Sequence, residues 1–231
     1  MTKKITIAID GFSSTGKSTL AKQLAKQLGY IFVDTGAMYR AVTFFAMQNN
    51  LIFVDSFNKV ELVNSLKNIV LEFKFNTELG FSEIYLNGKN VEKDIRTIEV
   101  SNFVSRVAEV SEVRAKLVEQ QQEMGKNKAI VMDGRDIGTV VFPNAELKIF
   151  MTASAATRAQ RRYDELHQKG DLVTYEEVLK NVEERDYIDT HREDSPLIVA
   201  GDAIEIDNSY LTREEQFEKV LDLVNSKINE I

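Results

Sequence analysis

The chain contains no cysteine, only two prolines and only two histidines among its 231 residues. The absence of cysteine excludes disulfides, thiolate zinc sites and cysteine nucleophiles, and it fits a reducing cytoplasm. No apolar run approaches the roughly 18 residues of a membrane span, and the apolar stretch after the first four residues is too short for a secretory signal. The net charge of −7 argues against a general polyanion binder. We therefore expect a cytoplasmic protein that binds neither membranes nor nucleic-acid polymers.

The remaining composition is that of one ordinary globular unit. Hydrophobic residues make up 43% of the chain and charged residues 28%. A chain of this length buries one full core without requiring a second independent domain, and no repeat of fixed period is present.

A glycine-rich segment is the most informative feature of the sequence. Residues 11–18 read Gly-Phe-Ser-Ser-Thr-Gly-Lys-Ser and stand between the apolar stretch Ile5–Ile9 and the helix-forming stretch Thr19–Leu28. Strand, glycine loop, Lys-Ser and helix in this order form a cradle for phosphate, because the backbone N–H groups and the helix N-terminus point at the anion. Lys17 would reach the β- and γ-phosphates and Ser18 would ligate Mg²⁺. The predicted triphosphate-binding residues are Gly11, Phe12, Ser13, Ser14, Thr15, Gly16, Lys17, Ser18 and Thr19.

The hydrophobic pattern alternates between buried strands and amphipathic helices, with one interruption. Strands are predicted at 5–9, 30–33, 129–132, 147–151 and 203–206. Helices are predicted at 17–28, 36–49, 56–68, 98–108, 111–124, 155–169, 174–188 and 212–229. Residues 70–75 and 82–86 instead alternate with a period of two, and a turn at Asn87-Gly88 follows them. We predict an α/β fold of three layers, αβα, with a parallel central sheet and a small antiparallel insert. Ligands of such folds gather at the carboxyl ends of the strands.

Charged residues cluster where those ends are expected. Asp133 directly follows a predicted strand, and a carboxylate in this position can hold Mg²⁺ directly or through water. The segment Asp133–Thr139 suits polar recognition of a nucleotide. Arginine suits phosphate because it makes bidentate contacts and neutralises transferring charge. Arg158, Arg161 and Arg162 share one helix face, and Arg185, Asp189 and Arg192 share another; both groups occupy the position of a closing lid.

Three segments together resemble the bacterial cytidylate kinase family, the (d)CMP kinases of the nucleoside monophosphate kinase group of P-loop kinases. They are Asp34–Arg40, Asp133–Pro143 and the pattern Arg185-Asp186-x-x-Asp189-x-x-Arg192. The match runs in order along essentially the whole chain. It implies a single P-loop kinase unit with a core at about 1–34, 129–154 and 200–231. A monophosphate-binding region with an insert would cover about 35–128, and a lid about 155–199.

The resemblance also implies individual roles. Thr35, Arg40 and Arg135 would contact the acceptor nucleotide, the two arginines at its phosphate. Ser105, Arg114 and Asp136, helped by Arg192, would read the cytosine edge, and Arg185 and Asp189 would hold the sugar hydroxyls. Asp133 would contact both the acceptor nucleotide and the metal. Lys17, Arg135, Arg158 and Arg162 would be the catalytic cations, the last two from the lid.

The implied reaction transfers the γ-phosphate of ATP to CMP or dCMP with Mg²⁺ as cofactor, in a cytoplasmic monomer whose partners are small molecules. The attacking phosphate is already an anion, so no general base is needed. Neither histidine supports one, since His167 is expected near a helix end and His191 in a polar tail.

Other protein classes share the glycine loop. A regulatory GTPase would need a guanine-reading Asn-Lys-x-Asp after a later strand, whereas the nearest match, Asn58–Glu61, ends in the wrong acid and lies in a predicted helix. Another small-molecule P-loop kinase, for shikimate, AMP or dephospho-coenzyme A, would have a different acceptor region.

Overall fold

Five strands form a parallel sheet in the protein, for which a computed structural model describes residues 3–230. Its strand order is β2-β6-β1-β7-β8, with β1 hydrogen-bonded in parallel to both β6 and β7. The strands of the sheet are β1 (Thr6–Gly11), β2 (Ile31–Asp34), β6 (Ile130–Gly134), β7 (Leu147–Thr152) and β8 (Ile204–Asp207). Because β1 is buried between two neighbours, its residues Ile7–Ile9 are all apolar and do not alternate with polar ones.

The chain folds as two compact units: residues up to Val33 together with those from Gly125 onward, and Asp34–Met124. The predicted division into core, monophosphate-binding region and lid stays a prediction.

The first unit holds the sheet and the helices that flank it. They are α1 (Lys17–Leu28), α6 (Ala155–Gln168), α7 (Tyr175–His191) and α8 (Arg213–Glu230), and a π-helical turn covers Ile137–Val141. Apolar residues of α1 and α8 form one core with β1 and β7, through Leu20, Leu24, Val220 and Val224 among others. This burial fixes the glycine loop at the carboxyl edge of the sheet.

The second unit consists mainly of helices and a small antiparallel sheet. Its helices are α2 (Thr35–Gln48), α3 (Lys59–Ser65), α4 (Ile98–Ala108) and α5 (Ser111–Gly125). Its strands are β3 (Leu71–Asn76), β4 (Phe81–Leu86) and β5 (Lys89–Asn90), in the order β3-β4-β5. Asn87 and Gly88 both have positive φ, 49° and 81°, as the predicted tight turn between antiparallel strands requires.

The predicted α/β fold with a parallel sheet and an antiparallel insert is confirmed. Besides shifts of one or two residues at the ends of other elements, three details differ. Helix α3 begins at Lys59 rather than Ser56, because the Asn58 side chain accepts the N–H of Glu61 and caps the helix there. Helix α7 extends to His191, so this histidine lies in the last helical turn and not in a polar tail. The two-residue strand β5 is too short to leave a pattern in the sequence.

None of the helices within residues 3–230 is both long and apolar enough to cross a bilayer.

Candidate active site

The glycine loop starts where β1 comes closest to its neighbour. Gly11 has φ of 140°, and a Cβ on this residue would lie 1.9 Å from the carbonyl oxygen of Met151 in β7. Glycine is therefore required here by the packing of two strands, in addition to the wrapping around an anion that the motif predicts. Gly16, with φ of 90°, stands at the N-cap of α1. Since it carries no side chain, it leaves the amides of the first helical turn uncapped and facing the loop, as anion binding requires.

Lys17 lies inside the loop rather than on its surface. The residue is 5% exposed, and its Nζ donates to the carbonyl oxygen of Phe12 at 2.5 Å and to Thr15 Oγ1 at 3.3 Å. Burial and the neighbouring Arg135 guanidinium hold the pKa of Lys17 well below its usual range. A polyanion in the loop would reverse this effect, because it would supply the opposite charge that the buried ammonium needs.

The two predicted metal ligands are brought together. Ser18 Oγ donates to Asp133 Oδ2 at 2.7 Å, and Asp133 is buried beside β1, where it pairs in register with Ile9. Within residues 3–230 no group of three or more acidic or histidine side chains could hold a metal. A hydroxyl and one carboxylate fit Mg²⁺ that is bound mainly through substrate phosphates and water.

Asp10 is a buried carboxylate that the sequence reasoning missed. Its two oxygens accept the N–H groups of Ile137 at 2.8 Å and Gly138 at 2.7 Å. Burial raises its pKa from 3.8 to about 6, although these two hydrogen bonds act in the opposite direction. Asp10 thus holds the turn that follows Asp136 against the sheet. An acidic residue at the end of an apolar strand, directly before Gly11, was the signal that could have found it.

Arg135, Asp189, Arg185 and Arg192 form one cluster in the first unit, in which Asp189 and Arg192 are buried and the other two arginines are partly exposed. Arg135 Nε donates to Asp189 Oδ2 at 2.8 Å, and Arg192 Nη1 lies 3.9 Å from Asp189 Oδ1. Burial alone would raise the pKa of Asp189, but the three arginines lower it. Burial and the charge of Arg135 lower the pKa of Arg185 to about 10. The predicted phosphate- and sugar-binding residues of this unit therefore share one charged network with an excess of arginine.

The three arginines of α6 face different partners, although they were predicted on one face. Arg158 is 4% exposed and binds Asp186 through two bonds of 3.0 and 2.6 Å, and its guanidinium lies 5.1 Å from the Phe12 ring centroid. Arg162 pairs with Glu165 on the same helix. Arg161 donates to the side-chain and main-chain oxygens of Asn208.

Asn208 is a second residue that the sequence did not reveal. It is 2% exposed and follows β8, and its Nδ2 donates to the carbonyl oxygen of Thr15 at 2.6 Å. The same amide also donates to Gln216 on α8. It fixes the glycine loop from the side opposite β6, but no motif marks it in the sequence.

The second unit holds four of the predicted acceptor-binding residues. Thr35 is the buried first residue of α2, and Arg40, on the same helix, donates to the carbonyl oxygen of Ile95 at 3.4 Å. Ser105 is buried on α4. Arg114 on α5 is 2% exposed, donates to the carbonyl oxygen of Ala108 at 3.1 Å and lies 5.6 Å from the Tyr39 ring centroid.

The parallel sheet, the glycine loop between β1 and α1 and the buried Lys17 define a nucleotide-binding protein of the P-loop class. The family model described as cytidylate kinase matches residues 7–226. The chain belongs to this family, so the resemblance found in its motifs is confirmed.

Relatives of high identity carry the same name. The cytidylate kinase of Flavobacterium johnsoniae is 80% identical over 226 residues, which cover 98% of each chain. That of Flavobacterium psychrophilum is 75% identical, covering 97% of this chain and 99% of the relative. That of Bacteroides fragilis is 58% identical and covers 94% of each.

Proposed function

We propose that the protein transfers the γ-phosphate of ATP to CMP or dCMP, giving ADP and CDP or dCDP. One observation carries the proposal: Lys17 lies buried in an intact glycine loop, in a chain that is 80% identical to a protein named cytidylate kinase. The enzyme is thus a phosphotransferase whose acceptor is itself a phosphate.

The reaction is an in-line displacement at phosphorus. An oxygen of the CMP phosphate forms a bond to the γ-phosphorus while the bond from that phosphorus to the β,γ-bridging oxygen breaks, and ADP leaves with the electron pair. The protein contributes by positioning the two nucleotides and neutralising charge, through Lys17 and the arginines. Its two histidines lie outside this chemistry: His167 and His191 are both in the last turns of helices.

The donor is assigned to the first unit. The loop residues Gly11–Thr19 would bind the ATP phosphates, and Arg158 and Arg162, in a lid at about 155–199, would close on them. The buried position of Arg158 next to the loop supports its part, since its Nη1 donates to the carbonyl oxygen of Ser13 at 3.4 Å.

Mg²⁺ would be held by Ser18 and Asp133. The 2.7 Å contact between their oxygens supports a shared cation at this point. When bound, the metal neutralises charge on the β- and γ-phosphate oxygens. Chelation by EDTA is expected to abolish turnover, and excess Mg²⁺ to restore it.

The residues assigned to the acceptor are Thr35, Arg40, Ser105, Arg114, Asp133, Arg135, Asp136, Arg185, Asp189 and Arg192. A buried guanidinium such as that of Arg114 suits the acceptor atoms N3 and O2 of cytosine, because burial makes an unmatched base costly.

A coupled assay of ADP release with CMP, dCMP, UMP, AMP and shikimate tests the proposal. Turnover with CMP and dCMP is expected, and its loss in Lys17→Ala excludes a contaminating kinase. Turnover with AMP or shikimate but not with CMP would assign the site to another P-loop kinase reaction. Hydrolysis of GTP in the absence of any acceptor would assign the site to a regulatory GTPase.

The proposal includes action in the cytoplasm as a monomer, without nucleic-acid or membrane partners. Light scattering on the eluting protein is expected to give a mass near 26.2 kDa. A mass of twice that value would contradict the monomer.

A further inference from the structure

The first turn of α2 depends on the carboxylate of Asp34. Asp34 Oδ1 accepts the N–H of Ala37 at 2.9 Å and so caps the helix that carries Thr35 and Arg40. Asp34 is itself buried, and a buried carboxylate is costly unless a cation compensates its charge. Any residue that supplies this charge therefore affects where the helix begins.

Arg96 supplies it from the short helical turn Asp94–Arg96. Its Nη2 donates to Asp34 Oδ2 at 2.7 Å and to Glu92 Oε1 at 2.7 Å, and its Nε donates to the same Glu92 oxygen at 3.1 Å. Glu92 is anchored in turn, because its other oxygen accepts the N–H of Ile84 in β4. The guanidinium is thereby held between the helix cap and the antiparallel sheet.

The charges of this network agree with the geometry. Burial alone would raise the pKa of Asp34, but Arg96 is the largest opposing influence and lowers it below its usual value. The two carboxylates raise the pKa of Arg96 against the effect of its burial. Arg96 and Asp34 are thus both fully charged at neutral pH.

The same turn also touches Arg40. The carbonyl oxygen of Ile95, the residue before Arg96, accepts from Arg40 Nη1 at 3.4 Å. One short segment therefore contacts α2 twice, at its cap and at the arginine assigned to the acceptor phosphate.

We propose that Arg96 is a positioning residue for the acceptor nucleotide, acting through Asp34 to fix the start of α2 and with it Thr35 and Arg40. This inference rests on the proposed function, and Arg96 itself is not assigned any contact with substrate. A purely structural ion pair would alter stability alone. A positioning role alters the affinity for the acceptor and leaves that for the donor unchanged.

The test compares Arg96→Ala with Arg106→Ala. Arg106 is the control in the same unit, since its guanidinium also makes hydrogen bonds within the unit, to the carbonyl oxygens of Phe53 and Val54, and neither of these residues is assigned to substrate. Arg96→Ala is expected to raise KM for CMP about tenfold and to change KM for ATP less than about twofold. Arg106→Ala is expected to change neither KM. Equal shifts of both constants, or no shift for CMP, would overturn the proposal.

A double-mutant cycle tests whether Arg96 acts through Asp34. Asp34→Asn keeps an oxygen for the N–H of Ala37 but removes the charge that Arg96 compensates. In this background Arg96→Ala is expected to raise KM for CMP by less than about twofold more, because the charge pair between Arg96 and Asp34 is already lost. A full tenfold effect in both backgrounds would contradict action through Asp34.

Arg96→Lys keeps the test decisive if Arg96→Ala does not fold. Lysine retains the charge but cannot reproduce the fork that bridges Asp34 and Glu92, so an intermediate rise of KM for CMP is expected. A wild-type value would overturn the proposal. Failure of the proposed function would look different, since the wild-type protein itself would not turn over CMP.

Discussion

The ammonium of Lys17 is held by the same glycine loop in which it is expected to bind phosphate. Its contact with the Phe12 carbonyl oxygen joins the two ends of the loop, and its burial makes it depend on an anion for full stabilisation of its charge.

Replacement of Lys17 by alanine is expected to lower kcat by about a thousandfold, because one preorganised cation at the transferring phosphate is lost. Circular dichroism and thermal unfolding should remain close to those of the wild type, since an uncompensated buried ammonium stabilises the fold little. Lys26→Ala, which changes an exposed lysine in the last turn of the same helix, is the control. Turnover of Lys17→Ala near the wild-type rate would contradict the cradle.

A second residue-scale expectation concerns Arg114. Arg114→Ala should raise KM for CMP by about tenfold or more and leave KM for ATP nearly unchanged, because the base would lose a buried partner. Steady-state kinetics with each substrate varied in turn measure both constants. An equal loss for the two nucleotides would remove Arg114 from the recognition of cytosine.

At the scale of elements, the approach of β1 to β7 sets the strictest steric condition. Gly11→Ala would place a methyl group 1.9 Å from the carbonyl oxygen of Met151, so the strands would have to separate. We expect a loss of about 3 kcal/mol or more in the free energy of unfolding, measured by urea denaturation.

Gly88→Ala is the control for this effect. Gly88 also has positive φ, but within residues 3–230 no atom beyond the glycine itself and its two chain neighbours lies within 4 Å of the position that a Cβ would take. Only the backbone strain of about 1 kcal/mol is therefore expected. If the two variants were equally stable, close strand packing would not be what requires Gly11.

The elements themselves were largely predictable because their signals are local. Helix α1 was predicted with its observed bounds, Lys17–Leu28, since a glycine stands at each end. Helix α4 was predicted equally well, and Thr97 caps it with its side chain. The start of α3 was placed too early, because the pattern of apolar residues did not show that Asn58 is the cap.

The site was predictable only where a motif spans its residues. Ser18 and Asp133 are 115 positions apart and were paired by the logic of the glycine loop, and their contact is present. Asn208 contacts Thr15, which is 193 positions away in the sequence, and Asp186 contacts Arg158, which is 28 positions away. No local sequence pattern predicts either contact. Such partners are chosen by tertiary packing, which one sequence does not display.

At the scale of the whole molecule, Asp10 links folding to pH. Its pKa is about 6 in the folded protein against a usual 3.8, so the folded state holds this proton more tightly than the unfolded state does. The contribution of Asp10 to the free energy of unfolding therefore decreases as pH rises from about 4 to about 6, by up to ~3 kcal/mol. Asp34 and Asp189, whose pKa values are lowered, act with the opposite sign and lose their contribution as pH falls below about 4.

Asp10→Asn isolates this effect because it removes the titrating group but keeps one acceptor oxygen. The unfolding free energy of the wild type minus that of the variant should fall as pH rises through this window, when both are measured by urea denaturation without nucleotide. A rise of this signed difference with pH would show that Asp10 is not protonated preferentially in the folded state.

The carboxylate of Asp186 serves as a counterion for Arg158 within the protein itself. The guanidinium is already neutralised by a carboxylate from α7, so an arriving triphosphate would exchange with a tethered anion rather than with ions from solution. Few dissolved ions would then be released at this arginine on binding. The contribution of Arg158 to the affinity for the nucleotide would therefore depend little on the salt concentration in the cell.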